Sequence, residues 1–263
     1  MMKHAPHPEF DSPILAEDGE VRYLYFDSPW AQGAMSLSEP DSLVFKYTQQ
    51  MCAWLLFKAI TTHESIALLG LGAGSHYRFL QKNTNAQITA VEWNELVVMC
   101  VEDHFYVEEN DRSQIVQANA EKWVHETEVQ GKYAVLMVDL YDYTAEGPVC
   151  SSRKFYKGCA NVLGKDGIAT FNLFGHHHSF AKNLANIRVA FDNRVILFPE
   201  TEDGNRIVIA FKGDEPLEFT VNELGARAQQ VQADMNIPAQ DFLDILLKEQ
   251  DNQFIVQNNK III

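Results

Sequence analysis

The sequence predicts an α/β fold built on a mostly parallel sheet with an antiparallel last strand, and three observations carry that reading. From Ser65 onward, short apolar runs alternate with helix-length segments, as when helices cover both faces of a sheet. The first of those runs breaks into Gly70-Leu71-Gly72-Ala73-Gly74 before a helix resumes. The last two runs, Arg194–Phe198 and Arg206–Phe211, are joined by a segment too short for a helical crossover, so they should pair antiparallel.

Taken in order, residues 1 to about 13 read as a frayed lead-in. Glu20–Asp27 is rich in β-formers, and Met35–Leu37 can return as its partner, giving a small N-terminal β-element. A helix should start after Pro40, with Ser42 as N-cap and Val44, Tyr47, Met51 and Leu55 on its apolar face. Strands are expected at Ser65–Leu69, Gln87–Glu92, Gln114–Gln117, Ala134–Asp139 and Gly167–Asn172. Helices are expected at Ser75–Lys82, Glu95–Phe105, Ala120–Thr127, Ser151–Val162 and Ser179–Phe191. Five parallel strands closed by an antiparallel pair form the Rossmann-like sheet of the class I methyltransferase type. The tail from Thr220 reads as two helices broken at Asn236-Ile237-Pro238, with Pro238 opening the second. The expected organisation is a lead-in and β-element over 1–40, a nucleoside-binding domain over 41–215 and a helical appendage over 216–263.

A hydrophobic fraction of 46% and a charged fraction of 22% are ordinary for a soluble globular protein. The net charge of −15 argues against nucleic acid or an anionic membrane as partner, since both would be repelled. Cys52, Cys100, Cys150 and Cys159 show no zinc-site spacing and are too few for a disulfide scaffold. With no apolar signal segment and no stretch long enough for a membrane span, a cytoplasmic location is expected.

Three segments could build a ligand site. Gly70, Gly72 and Gly74 let the backbone turn tightly and approach a ligand that no Cβ obstructs. The plain alternative is a glycine-rich turn with no ligand. Glu92 ends the second strand about eighteen residues after the last glycine, near the offset at which an acid meets a ribose diol. A dinucleotide site would want its third glycine one residue later, so the pattern favours a nucleoside without phosphates, such as an S-adenosyl sulfonium compound, over NAD. Asn119, after the third strand, can bond an adenine edge as donor and acceptor; it can also cap the helix that follows, and the two roles are compatible. Asp139 and Asp142 arrive at the carboxyl end of the fourth strand, where open α/β sheets bind ligands. Paired there, they could hold an ammonium group, orient it and accept its proton, their pKa values pushed apart by proximity. The alternative is that Asp142 caps a turn and Asp139 bonds backbone amides. Tyr141 and Tyr143 could wall an aliphatic amine or simply pack. His176-His177-His178 has no Cys or carboxylate at ligand spacing, so no metal is expected.

These residues resemble the polyamine aminopropyltransferases, the spermidine synthase family, from about Tyr23 to Phe211. Phe26-Asp27-Ser28 with Gln32-Gly33-Ala34-Met35 is similar to the family's N-terminal strand motif, whose glutamine lies over the nucleoside. Tyr47-Thr48-Gln49 stands where the family has Tyr-(His/Gln)-Glu. Gly70 to Gly74 matches the glycine loop, Glu92 the ribose acid, and Asn119 the position of an adenine-contacting Asp. Asp139-Leu140-Tyr141-Asp142, with Gly147-Pro148 after it, resembles the loop that carries the catalytic aspartate. Three positions depart from the pattern: Ala73 replaces an amine-binding Asp, Gln49 replaces Glu, and Tyr143 replaces a Pro.

The resemblance implies aminopropyl transfer from decarboxylated S-adenosylmethionine to an amine acceptor in a homodimer. Asp139 would be the base and Asp142 its partner; Gln32, the three glycines, Glu92 and Asn119 would hold the nucleoside; Gln49, Tyr141 and Tyr143 would contact the acceptor. Two rivals share the fold: a methyltransferase using intact S-adenosylmethionine, and a homologue that binds the nucleoside without turnover. The missing acids at Ala73 and Gln49 keep both open.

Overall fold

The computed structural model describes residues 11–142, 147–214, 217–249, 252, 255–257 and 259–263. An antiparallel sheet of three strands comes first: β1 (Ile14–Asp18), β2 (Val21–Tyr25) and β3 (Ala31–Ser36). β2 and β3 are the expected β-element; β1, whose residues are all exposed, was not foreseen. Helix α1 (Lys46–Met51) follows and tightens into a 3-10 turn over Cys52–Leu56. Its N-cap is Phe45, three residues later than the expected Ser42. The hydroxyl and N–H of Ser42 both donate to the Glu39 carbonyl. Arg78 and Gln49 take the carbonyls of Pro40 and Leu43. These bonds hold the segment as a loop, and tertiary partners override its capping propensity.

The alternating region then runs β4 (Ser65–Leu69), α2 (Ser75–Asn83), β5 (Gln87–Glu92), α3 (Glu95–His104), β6 (Ser113–Gln117), α4 (Ala120–Trp123), β7 (Tyr133–Val138), α5 (Arg153–Val162), β8 (Leu163–Phe174), α6 (Phe180–Ala190), β9 (Val195–Leu197) and β10 (Asn205–Phe211). All seven strands form one sheet in the order β6-β5-β4-β7-β8-β10-β9. The first five are parallel, and β10 runs antiparallel to both its neighbours, as expected. Helix α4 stops short of Thr127, and Thr127–Val129 forms a 3-10 turn instead.

Successive strand residues feed opposite faces, as the period of two requires. Ile66, Leu68, Ile88, Val135, Met137 and Ile209 join one core with α2, α3 and Trp54 of the 3-10 turn. Ala67, Leu69, Val91, Leu136, Val138 and Phe171 join the other with α4, α5 and α6. The chain goes from β4 outward to β6, then returns to place β7 on the other side of β4. Helices therefore leave β4 and β7 on opposite faces, and a crevice opens above the carboxyl ends of this pair.

The tail carries the two expected helices, α7 (Val221–Met235) and α8 (Ala239–Lys248). Thr220 and Glu223 form a reciprocal capping box that starts α7. The tail also carries a small sheet that the sequence reading missed, from β11 (Glu218–Thr220), β12 (Ile255–Gln257) and β13 (Lys260–Ile262) in the order β11-β13-β12. Three-residue strands show too little alternation to register as a pattern.

Candidate active site

At the switch point, Gly70 ends β4 with φ +93°, and a Cβ there would lie 2.1 Å from the carbonyl oxygen of Asp139. Only glycine allows β4 and β7 to end this close together. Gly72 and Gly74 also have positive φ. The N-terminal sheet closes directly over this loop. A Cβ at Gly33 would meet that of Ala73 at 2.6 Å, and Ala73 is buried. An aspartate at position 73 would have to displace β3, which accounts physically for the small residue there.

Between loop, sheet and strand ends lies a cavity of about 640 Å³. Gln32, Gly70, Gly72, Glu92, Asn119, Asp139, Tyr141 and Asp142, all singled out from sequence, line it together. Gly74 does not; it opens α2 behind the loop, against Val107. Gln49 does not reach it either. Its side-chain amide donates to the Leu43 carbonyl at 2.8 Å, while its neighbours Tyr47 and Thr48 face the cavity. Tyr143 lies outside the described residues.

Glu92 is buried and answers the backbone around it. One carboxylate oxygen accepts the Leu71 N–H at 3.1 Å and the other the Asn94 N–H at 2.9 Å. Burial pushes its pKa up, and N–H groups of Asn94, Leu71 and Trp93 pull it back. Three N–H groups on the four acceptor sites of a carboxylate leave capacity for a diol hydroxyl. Asn119 caps α4: its side-chain oxygen accepts the N–H groups of Glu121 and Lys122. That use leaves its NH2 as the free function, so Asn119 offers a donor to a base edge, not the donor–acceptor pair expected from sequence. Gln32 donates to the main-chain carbonyl of Asp142 at 3.3 Å and so ties β3 to the loop after β7.

Asp139 accepts a hydrogen bond from the Asn172 side-chain amide at 2.8 Å. Asn205 in turn donates to Asn172 at 3.1 Å, and the Tyr141 hydroxyl donates to the Asn172 carbonyl. The Tyr47 hydroxyl and the His76 ring also act on the Asp139 carboxylate. Enclosure pushes the pKa of Asp139 up, against the pull of Asn172, His76 and Tyr47. The rise therefore comes from burial; repulsion from Asp142, the expected cause, is not among its sources. His76 is held through Nε2 by the Thr48 carbonyl at 3.0 Å, and burial pushes its pKa down. Burial also keeps Tyr47 protonated, as a donor.

Asn172, Asn205 and His76 were not identified from sequence. One signal was available for Asn172: it is a polar residue closing an apolar strand at the sheet's carboxyl edge. The histidine triplet lies beside the site. His176 pairs with Glu200 at 3.0 Å and His177 bonds the Ser179 hydroxyl. Among the described residues no group of His, Cys, Asp and Glu could hold a metal ion, and no helix is long and apolar enough to cross a membrane.

Comparison with known proteins sets this geometry in context. No family model matches the chain. Curated relatives include the polyamine aminopropyltransferase of Neisseria meningitidis, 28% identical over 82% of both chains. The chain is a homologue of the polyamine aminopropyltransferases. A relative from Chromobacterium violaceum extends the likeness to 91% of this chain at the same identity. Among solved structures, a probable spermidine synthase from Corynebacterium glutamicum superimposes over 98% of this chain and 99% of its own, with TM-score 0.68 and 16% identity. A human methyltransferase-like protein 13 matches 73% of this chain and 93% of its own, with TM-score 0.64 and 18% identity. Both confirm the fold, a sheet shared by aminopropyl- and methyltransferases.

Proposed function

We propose that this protein transfers an aminopropyl group from decarboxylated S-adenosylmethionine to an amine acceptor. One observation carries the reading beyond homology. Among the described residues, six carboxylates line the cavity (Asp11, Glu92, Glu121, Asp139, Asp142 and Asp203), and no Lys or Arg lines it. Such a site suits two cations, a sulfonium donor and an ammonium acceptor. Intact S-adenosylmethionine would bring a carboxylate into the same field, with no Lys or Arg among the described lining residues to meet it. The decarboxylated form brings only positive charge.

The chemistry needs little from the protein. The acceptor nitrogen, deprotonated, attacks the propyl carbon bonded to sulfur. The new C–N bond forms as the C–S bond breaks, and its electron pair stays on sulfur in neutral methylthioadenosine. Asp139 takes the proton, and its raised pKa brings it closer to that of a useful base. Its fixed bond from Asn172 sets the direction of attack, and enclosure under β3 excludes water.

Thermal shift with equal concentrations of decarboxylated and intact S-adenosylmethionine tests the reading, since the tighter ligand raises the melting temperature more. The decarboxylated compound should win. Methylthioadenosine as product supports aminopropyl transfer; S-adenosylhomocysteine would establish methyl transfer instead.

A further inference from the structure

A nitrogen base shares the crevice with Asp139. His76 stands in the first turn of α2, directly after the glycine loop, and its ring lines the cavity with Asp139, Tyr47 and Asn172. Its Nε2 lies 3.0 Å from the carbonyl oxygen of Thr48, a buried residue of α1. A carbonyl can only accept, so Nε2 carries the proton and the neutral ring presents Nδ1 as an acceptor. Among the described residues no group donates to Nδ1. Burial favours the neutral ring, and the N-terminal end of α2 disfavours a cation there as well. His76 and Asp139 act on each other electrostatically, yet no hydrogen bond joins their side chains. The crevice therefore holds two acceptors, within range of each other but unjoined, and a group with two hydrogens can bridge them.

We propose that His76 is a catalytic residue whose Nδ1 accepts one N–H of the attacking nitrogen while Asp139 accepts the other. The proposal rests on the aminopropyl-transfer reading. A primary amine ready to attack has two N–H bonds, a carbon chain and a lone pair in tetrahedral directions. Fixing both N–H bonds leaves the lone pair a single direction, and that direction must meet the propyl carbon on sulfur. As the C–N bond forms, the electron pair of the breaking C–S bond stays on sulfur. The N–H facing Asp139 passes its proton to the carboxylate, and the N–H on Nδ1 stays where it is. His76 thus orients the nucleophile and remains neutral throughout; a protonated ring would offer a donor and a like charge instead. Asp139 has room for its share, since Asn172 and Tyr47 occupy only part of its acceptor capacity. The arrangement selects primary amines, because an N-methyl group leaves one enclosed acceptor unpaired.

The test compares wild type, His76→Gln and His76→Asn on propylamine and N-methylpropylamine, reading methylthioadenosine release. Glutamine keeps an N–H donor for the Thr48 carbonyl but puts no acceptor in the place of Nδ1. Asparagine puts its side-chain oxygen there and gives up the Thr48 bond. Wild type should prefer propylamine. In His76→Gln, kcat on propylamine should fall roughly 10-fold with KM little changed, and the preference for the primary amine should shrink by a similar factor. His76→Asn should keep more of both. No preference in wild type, a glutamine variant equal to wild type or better than the asparagine one, or an equal loss on both amines overturns the assignment. Melting curves check folding. Should only one variant fold, its preference decides: the assignment requires it lost with glutamine and kept with asparagine. Absence of methylthioadenosine with either amine would refute the transfer reading itself. Calorimetric titration of the two amines into protein saturated with decarboxylated S-adenosylmethionine then still decides the role of His76. A preference for propylamine that weakens in His76→Gln supports it, and an unchanged preference refutes it.

Discussion

Asn172 donates its side-chain amide to Asp139 at 2.8 Å, joining the end of β8 to the loop after β7 across the mouth of the crevice. This bond favours the ionised carboxylate, and so opposes the burial that raises the Asp139 pKa. Removing it should leave a base that is harder to ionise. Asn172→Ala should lower kcat, and the acid limb of the pH–rate profile should move to higher pH because Asp139 must be deprotonated to act. A purely structural role for Asn172 would lower activity without moving that limb. Steady-state rates across the acid limb distinguish the two.

The raised Asp139 pKa also predicts a trade between activity and stability. A carboxyl whose folded pKa exceeds its unfolded value stabilises the fold fully below the unfolded pKa. That contribution is lost as pH rises through the folded pKa. Wherever Asp139 is ionised, the unliganded protein therefore holds an enclosed charge at a cost. Asp139→Asn should lower kcat by about 10²–10⁴. The same change should raise the melting temperature by roughly 2–4 °C, the response of a chain of this size to about 1 kcal/mol. The gain should vanish at a pH low enough to protonate Asp139. Paired melting curves at neutral and acid pH check it.

How much of this site was legible in the sequence depends on where each residue's partners lie. Gly70, Glu92 and Asp139 could be read because parallel strands announce themselves as apolar runs, and ligands meet such strands at their carboxyl ends. Asn172 and Asn205 could not, because their roles depend on sheet register. β10 pairs with β8 so that Asn205 faces Phe174 and Ile207 faces Asn172, and only that pairing brings the two amides together beside Asp139. Gln49 was misread for the opposite reason: its motif matched, but the Leu43 carbonyl claims its amide. Burial of Ala73 against Gly33 likewise appears only once β3 is folded over the loop.

The glycine at the switch point should be irreplaceable for steric reasons. At Gly70 an added Cβ meets the Asp139 carbonyl oxygen at 2.1 Å, in addition to the strain of φ +93°. Gly131 has φ +67° with nothing within 4 Å of an added Cβ, so it isolates the strain alone. Gly131→Ala should cost about 1–2 kcal/mol. Gly70→Ala should cost more and abolish nucleoside binding, because β4 and β7 must separate. Denaturant unfolding of both variants, with calorimetric titration of methylthioadenosine, tests the difference.

Glu92 carries two duties, and a single substitution should expose both. Its two oxygens accept the N–H groups of Leu71 and Asn94 from either side of the strand end. In Glu92→Gln one oxygen becomes an NH2, which must face one of those N–H groups as donor against donor. Leaving a buried donor unsatisfied costs about 1–3 kcal/mol, so the variant should be less stable than wild type. The glycine loop, which hangs on the Leu71 bond, should lose its fixed position over the nucleoside. Methylthioadenosine binding should weaken by at least about tenfold from the lost diol contact, the equivalent of about 1.4 kcal/mol. Glu92→Asp shortens the reach but keeps two acceptors. It should therefore recover part of the stability without restoring the affinity. Should the glutamine variant bind methylthioadenosine as wild type does, Glu92 serves only the backbone and the ribose sits elsewhere.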